Sequence, residues 1–222
     1  MKNKLMKAAI LLICLGLCFT SCEKKDQSGV QGSRADTNYT FPLSLQKDAA
    51  HSLELAYKWM LAQQFQDGSW KSNPAITSLV LYSLVEMPGY IAVEKSEEVI
   101  EKGFSYLRGF VREDGGIYQN EYRNYTTAVA LLALSTYGKE KDKEIIKNAK
   151  DFLILFQCDE SEEYSEDDPY YGGIGYGGDE RPDLSNTQLA LDAIKAAEDY
   201  EVRYSKVITD DAKGMELEKE QK

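Results

Sequence analysis

The sequence predicts an all-α protein, an open two-layered α/α arc of about three helical hairpins, and three observations predict it. First, three segments align over ten residues: "LAYKWMLAQQFQDGSW" from Leu55, "KGFSYLRGFVREDGGI" from Lys102 and "NAKDFLILFQ" from Asn148. Each carries a small residue (Ala56, Gly103, Ala149) and an aromatic three positions later (Trp59, Tyr106, Phe152). Five beyond that stand Gln64, Val111 and Gln157, and a glycine-containing turn follows. Second, another pattern recurs after each turn: "TSLVLYSL" from Thr77, "TAVALLAL" from Thr127 and "TQLALDAI" from Thr187, at spacings of 50 and 60 residues. Third, the two halves differ in how they must be buried. Leu53, Ala56, Tyr57, Met60 and Leu61 form one helical stripe with a wet face opposite. "AVALLAL" at 128–134 is apolar all round and calls for burial on most sides. An amphipathic outer helix and an apolar inner helix, repeated, make a two-layered stack; the spacing is too long for tetratricopeptide or ankyrin repeats.

Taken from the start, residues 1–22 are a targeting segment. "MKNKLMK" is basic, "AAILLICLGLCF" is apolar but too short for a permanent membrane helix, and "TSC" brings small residues up to a cysteine. This pattern resembles a bacterial lipoprotein signal, with Phe19 in place of the usual aliphatic residue. The resemblance implies cleavage before Cys22, lipidation of Cys22, and a protein anchored through that lipid to a membrane of the cell envelope, outside the cytoplasm. Residues 23–45 read as a flexible tether, since "EKKDQSGVQGSRADT" is polar and has no apolar period. Residues 46–204 hold the repeats, and 205–222 form a charged C-terminal tail.

Cysteine usage and charge narrow the options. Cys14 and Cys18 lie in the targeting segment and Cys22 is its lipid acceptor, which leaves Cys158 alone and no disulfide framework within one chain. The sole histidine, His51, lies far from it in sequence. A net charge of −11, more negative once the three lysines of the targeting segment are removed, disfavours a nucleic-acid partner. The insert 159–168 holds seven acidic residues without EF-hand spacing and reads as a solvated loop, so no metal and no cofactor is expected.

The stretch "AYKWMLAQQFQDGSW" at 56–70 resembles the QW motif of squalene and terpene cyclases, related to repeats in protein prenyltransferase β subunits. Gln64 and Trp70 match the two residues that name the motif. The second copy has Val111 and Ile117 there, and the third keeps Gln157 before a long insert. The resemblance spans about residues 48–200 and implies the α/α toroid fold. Toroids of this family usually close with five or more hairpins, so three imply an open arc, completed by a protein partner or by self-association, or else a truncated gene. Physically, a Gln amide at this place satisfies backbone groups left open at helix ends.

The same resemblance directs attention to "RPDLSNT" at 181–187. Proton-initiated cyclases carry D-x-D-D-T before the inner helix. Aligned on Thr187, Asp183 takes the first carboxylate position, whereas Ser185 and Asn186 replace the proton donor and its neighbour. A serine hydroxyl cannot protonate an alkene. No D-D-x-x-D run appears for diphosphate ionisation, and the zinc ligands of prenyltransferases are missing. The stretch therefore reads as a helix start, with Asp183 or Ser185 as cap and Ser185-x-x-Gln188 fitting a capping box. The turns before the inner helices concentrate Trp70, Tyr118, Tyr122, Tyr125, Tyr170, Tyr171, Tyr176, Arg181 and Asp183. Of these, Trp70, Tyr118, Tyr125, Tyr171, Tyr176, Arg181 and Asp183 are the candidate binding residues, for an apolar or a glycan ligand. A non-catalytic binding or scaffolding module is the expected function. The alternative is an enzyme of isoprenoid or polysaccharide chemistry with Asp183 and Tyr125 as its first catalytic suspects.

Overall fold

The computed structural model describes residues 42–87, 96–177 and 181–220, with side chains to 206. The targeting segment, Cys22 and nearly all of the tether lie outside the described residues. Within them the chain is all-α, with six α-helices and no strand beyond an isolated Val111–Ile117 bridge. The helices are α1 (Leu43–Ala62), α2 (Pro74–Glu86), α3 (Ser96–Arg108), α4 (Arg123–Tyr137), α5 (Lys143–Leu155) and α6 (Leu184–Glu220). None of the described helices is long and apolar enough to cross a membrane. Two compact units result, Met1–Ala62 and Gln63–Lys222.

In the first unit, α1 buries Tyr57 and Met60 and half-buries Leu53, Ala56 and Leu61, the stripe its periodicity predicts. Leu55, on the opposite face, is 55% exposed. The Lys58–Glu54 pair one turn apart lies on the wet side.

In the second unit, local chemistry sets each boundary. Asn73 caps α2 by accepting from the Ile76 N–H at 3.0 Å, and Pro74 fills the first helical position, where no N–H is needed. α3 opens on Glu97 and Glu98 and closes on Arg108, matching the helix dipole. α4 ends on Gly138 at φ 67°, whose N–H donates to the Leu134 carbonyl at 2.9 Å. α6 passes through position 204 without a break, so the charged tail continues the last inner helix.

α4 packs along both α2 and α6 and buries eleven of its fifteen residues. That is the all-round burial its composition demands. Leu81, Phe104, Leu107, Ile146 and Leu153 join its own Leu131 and Leu134 in the core, and Phe104 stacks on Tyr137 at 4.2 Å. Arg108, at the end of α3, grips the fully buried carboxylate of Asp142 with Nε at 2.7 Å and Nη2 at 2.9 Å. A buried carboxylate needs such a bidentate partner.

One device repeats three times. Gly68, Gly115 and Gly172 turn the chain at φ 90°, 88° and 78°, a region that favours glycine. Two residues later, the N–H of Trp70, Ile117 or Ile174 donates to the hydroxyl of Thr77, Thr127 or Thr187 at 3.0, 2.9 and 3.0 Å. The recurring threonine is thus a clip that fastens each turn to its inner helix. The Gln residues hold the turns and not the open helix ends expected of them: Gln64 Nε2 donates to the Gly68 carbonyl and to that of Val99 in the first turn of α3, and Gln157 Nε2 to the Gly172 carbonyl at 3.0 Å. Where Val111 replaces glutamine, the chain closes the turn through the Val111–Ile117 bridge instead.

Candidate binding site

The "RPDLSNT" stretch is a helix start. Asp183 Oδ1 accepts from the N–H groups of Ser185 and Asn186 at 2.9 and 3.0 Å and from the Ser185 hydroxyl at 2.6 Å. Its Oδ2 accepts from the Asn186 side chain. Partial burial alone would push this carboxyl up, but these bonds outweigh it and hold the acid below the ordinary aspartate value. An acid held ionised and occupied in this way is an anchor for α6. The cap is Asp183, one residue before Leu184, so Ser185 lies inside the first turn and the Ser185–Gln188 capping box does not form. The reason is geometric: the aspartate reaches both N–H groups that a serine at 185 would leave behind.

The candidate residues separate into several groups. Trp70 is 4% exposed and packs in the core beside Gly103 and Leu81, whose side chain would meet a Cβ on Gly103 at 2.8 Å. Tyr118 donates to Asp114 Oδ2 at 2.6 Å, packs on Phe152, and has Arg112 over its ring. The hydrogen bond to Asp114, then burial, raises its phenol pKa. Tyr171 donates to Glu160 at 3.0 Å, and Arg181 lies over the Tyr170 ring.

Tyr125 and Tyr176 do come together, with ring centroids 6.0 Å apart, and Tyr122 meets Tyr176 edge-on at 5.3 Å. Tyr122 is 51% exposed and Tyr176 36%. The loop before α6 is pinned here, because the Asn124 N–H donates to the Tyr176 carbonyl at 3.0 Å. Gly177 follows at φ 101°, and a Cβ there would fall 2.6 Å from Arg123 and 2.9 Å from Asn124 Oδ1. Tyr122 itself is left-handed, at φ 52°, a conformation costly for a tyrosine. Ser72, its counterpart before α2, shares it at φ 49°, whereas the third repeat has Pro182 there, which cannot adopt it.

Sequence reasoning missed two members of the group. Arg123 stands in the first-carboxylate position of the second repeat and carries no acid chemistry; in the structure its guanidinium lies 4.7 Å from the Phe156 ring centre. Asn124 is 4% exposed, and its Oδ1 accepts no hydrogen bond from the protein. The signal available for both was position, since they immediately follow Tyr122 at the mouth of the central helix.

The group has two partly exposed tyrosines, one half-buried cation and one unpaired amide oxygen. It can stack on a ring and offer phenol groups, while the Asn124 oxygen lies buried beneath Gly177. Among the described residues no cluster of three or more His, Cys, Asp or Glu is placed to hold a metal ion. Burial, ahead of neighbouring acids, raises the Cys158 thiol above its ordinary pKa, which suits an inert side chain better than a nucleophile. No protein-family model matches this chain, and no curated protein matches it in sequence.

Proposed function

We propose that this chain is a lipid-anchored protein of the bacterial cell envelope that binds or scaffolds, without catalysis, on squalene cyclase/prenyltransferase-like repeats. The observation that carries this reading is Asp183. The one carboxylate left at the cyclase-like position is engaged on both oxygens as the cap of α6. A catalytic acid at that mouth needs a proton to give and an apolar, water-poor setting; a depressed, hydrogen-bonded aspartate has neither.

The ligand site is the Tyr122–Tyr125–Tyr176 group. Its aromatic faces and partly exposed phenols suit a ligand with one apolar face and hydroxyl groups. That chemistry describes a sugar ring better than an isoprenoid tail. The lipid on Cys22 would hold the site close to the membrane surface, with the tether giving it reach.

The test is native mass spectrometry of the full chain extracted from membranes in detergent, beside its Tyr122→Ala/Tyr176→Ala variant. A bound carbohydrate mass present on the wild type and absent from the variant supports the reading. An extractable isoprenoid would replace the glycan, and a turnover abolished by Asp183→Asn would sink the non-catalytic assignment. In parallel, Cys22→Ser should move the protein from the membrane to the soluble fraction.

A further inference from the structure

Each repeat offers its successor the same surface. The Gly68 turn presses on α3, so that a Cβ there would lie 2.4 Å from the Lys102 carbonyl oxygen. The Gly115 turn presses on α5 in the same way, 2.7 Å from the carbonyl of Asn148, the residue aligned with Lys102. Next to the first contact the small Gly103 admits a leucine. Leu81 is fully buried against Gly103, and its counterpart Leu131 is fully buried as well. Arg108 completes the pattern by reaching forward to Asp142 of the next repeat.

The third repeat carries this surface too, and no described residue covers it. A Cβ on Gly172 would meet no helix; its nearest neighbour is Gln157 Nε2 at 3.6 Å. Leu191, in register with Leu81 and Leu131, is 54% exposed, and Leu184 is 84% exposed. Ile154, in register with Arg108, is 47% exposed. Stacked repeats ordinarily end on a polar outer face. This face instead presents large exposed apolar side chains, the signature of a contact surface.

The element that fills this place twice within the chain is an outer helix with a small residue at the contact. α1 is the remaining helix of that kind. Its Leu55 and Ala56 hold the register of Lys102–Gly103 and Asn148–Ala149, and Leu55 is largely exposed. We propose that α1 of a second copy docks on the open face of the third repeat. Chains would then associate head to tail, through the same kind of contact that joins consecutive repeats within each chain. Leu55 lies over the Gly172 turn and Ala56 against Leu191, and a leucine stands where the internal copies have a lysine or an asparagine. The pairing is heterologous, so each copy has one donor end and one acceptor end. It names the partner of a scaffolding chain and rests on the repeat register alone, independently of the tyrosine site.

The test uses the full chain in detergent, with protein mass measured by light scattering over a wide concentration range. The wild type should reach at least twice the mass of one processed chain. Leu191→Glu removes the acceptor end and Ala56→Glu, at the register of the buried Gly103 and Ala149, the donor end, so each variant alone should be monomeric. An equimolar mixture should form a one-to-one dimer that does not grow further, because each variant supplies the end the other lacks. A monomeric wild type, a single variant that assembles like wild type, or a mixture that stays monomeric would each overturn the proposal. Leu191 is exposed and Ala56 half-buried, and circular dichroism checks that the variants fold; Leu184→Glu and Ala56→Leu serve in their places if either does not. Tyr122→Ala should assemble normally, which keeps this result separate from that of the ligand site.

Discussion

Replacing Thr127 with valine tests the threonine clip directly. Thr127 and Ile117 are both fully buried, and the hydroxyl receives the Ile117 N–H at 2.9 Å. Valine keeps the shape and removes the acceptor, leaving a buried amide without a partner at a cost of about 1–3 kcal/mol. For a domain of this size, about 2 kcal/mol lowers the melting temperature by roughly 4–8 °C. Serine is the informative control. It keeps the hydroxyl and loses a methyl group, at about 1 kcal/mol. Urea unfolding monitored by circular dichroism should therefore rank wild type above Thr127→Ser and Thr127→Ser above Thr127→Val. A valine variant as stable as the serine variant would mean that the side chain matters only for packing, and the clip would be refuted. Thr187→Val should cost less than Thr127→Val, because Thr187 is only half-buried and water can replace part of the lost bond.

Two further perturbations probe the turns and the helix start. Gly115→Ala places a methyl group 2.7 Å from a backbone carbonyl at a left-handed φ, and should destabilise more than the Thr127→Val change in the same urea assay. Asp183→Ala should cost about 1 kcal/mol at neutral pH, whereas Asp183→Asn, also a good cap, should cost less. Because the folded carboxyl is depressed below its ordinary value, its contribution is fully present above the ordinary aspartate pKa and is lost as pH falls through the folded value. The stability gap between wild type and Asp183→Asn should accordingly narrow on acidification in denaturant titrations; a constant gap down to low pH would show that the charge contributes nothing.

Much of the fold was legible because it is periodic. The stripe of α1 and the all-round apolar α4 follow from residue spacing alone, and burial follows the same residues. The Asn73-Pro74 start of α2 was legible for a local reason, since capping and a missing N–H act within one turn. The site was less legible. Tyr125 and Tyr176 are fifty-one residues apart, and nothing local says that they meet while Trp70 goes into the core. Their meeting depends on a loop hydrogen bond from Asn124 and on a close approach by Gly177, both tertiary. The role of the threonines was hidden for a related reason. Each clip spans a turn of different length, so only the residue type recurs in sequence, and its partner is a backbone amide that carries no side-chain signature.

Those unequal spans have a practical consequence. The clip joins residues seven, ten and thirteen apart, yet its geometry stays within 0.1 Å across the three repeats. Whatever chain lies between the turn and its threonine can lengthen without shifting the helix that follows. New sequence introduced there would be fastened at both ends by bonds it takes no part in forming, and the fold could carry it much as an antibody framework carries its hypervariable loops. Peptide insertions in that interval are where this protein should accept foreign recognition sequences, and where evolution could have changed a ligand without rebuilding the scaffold.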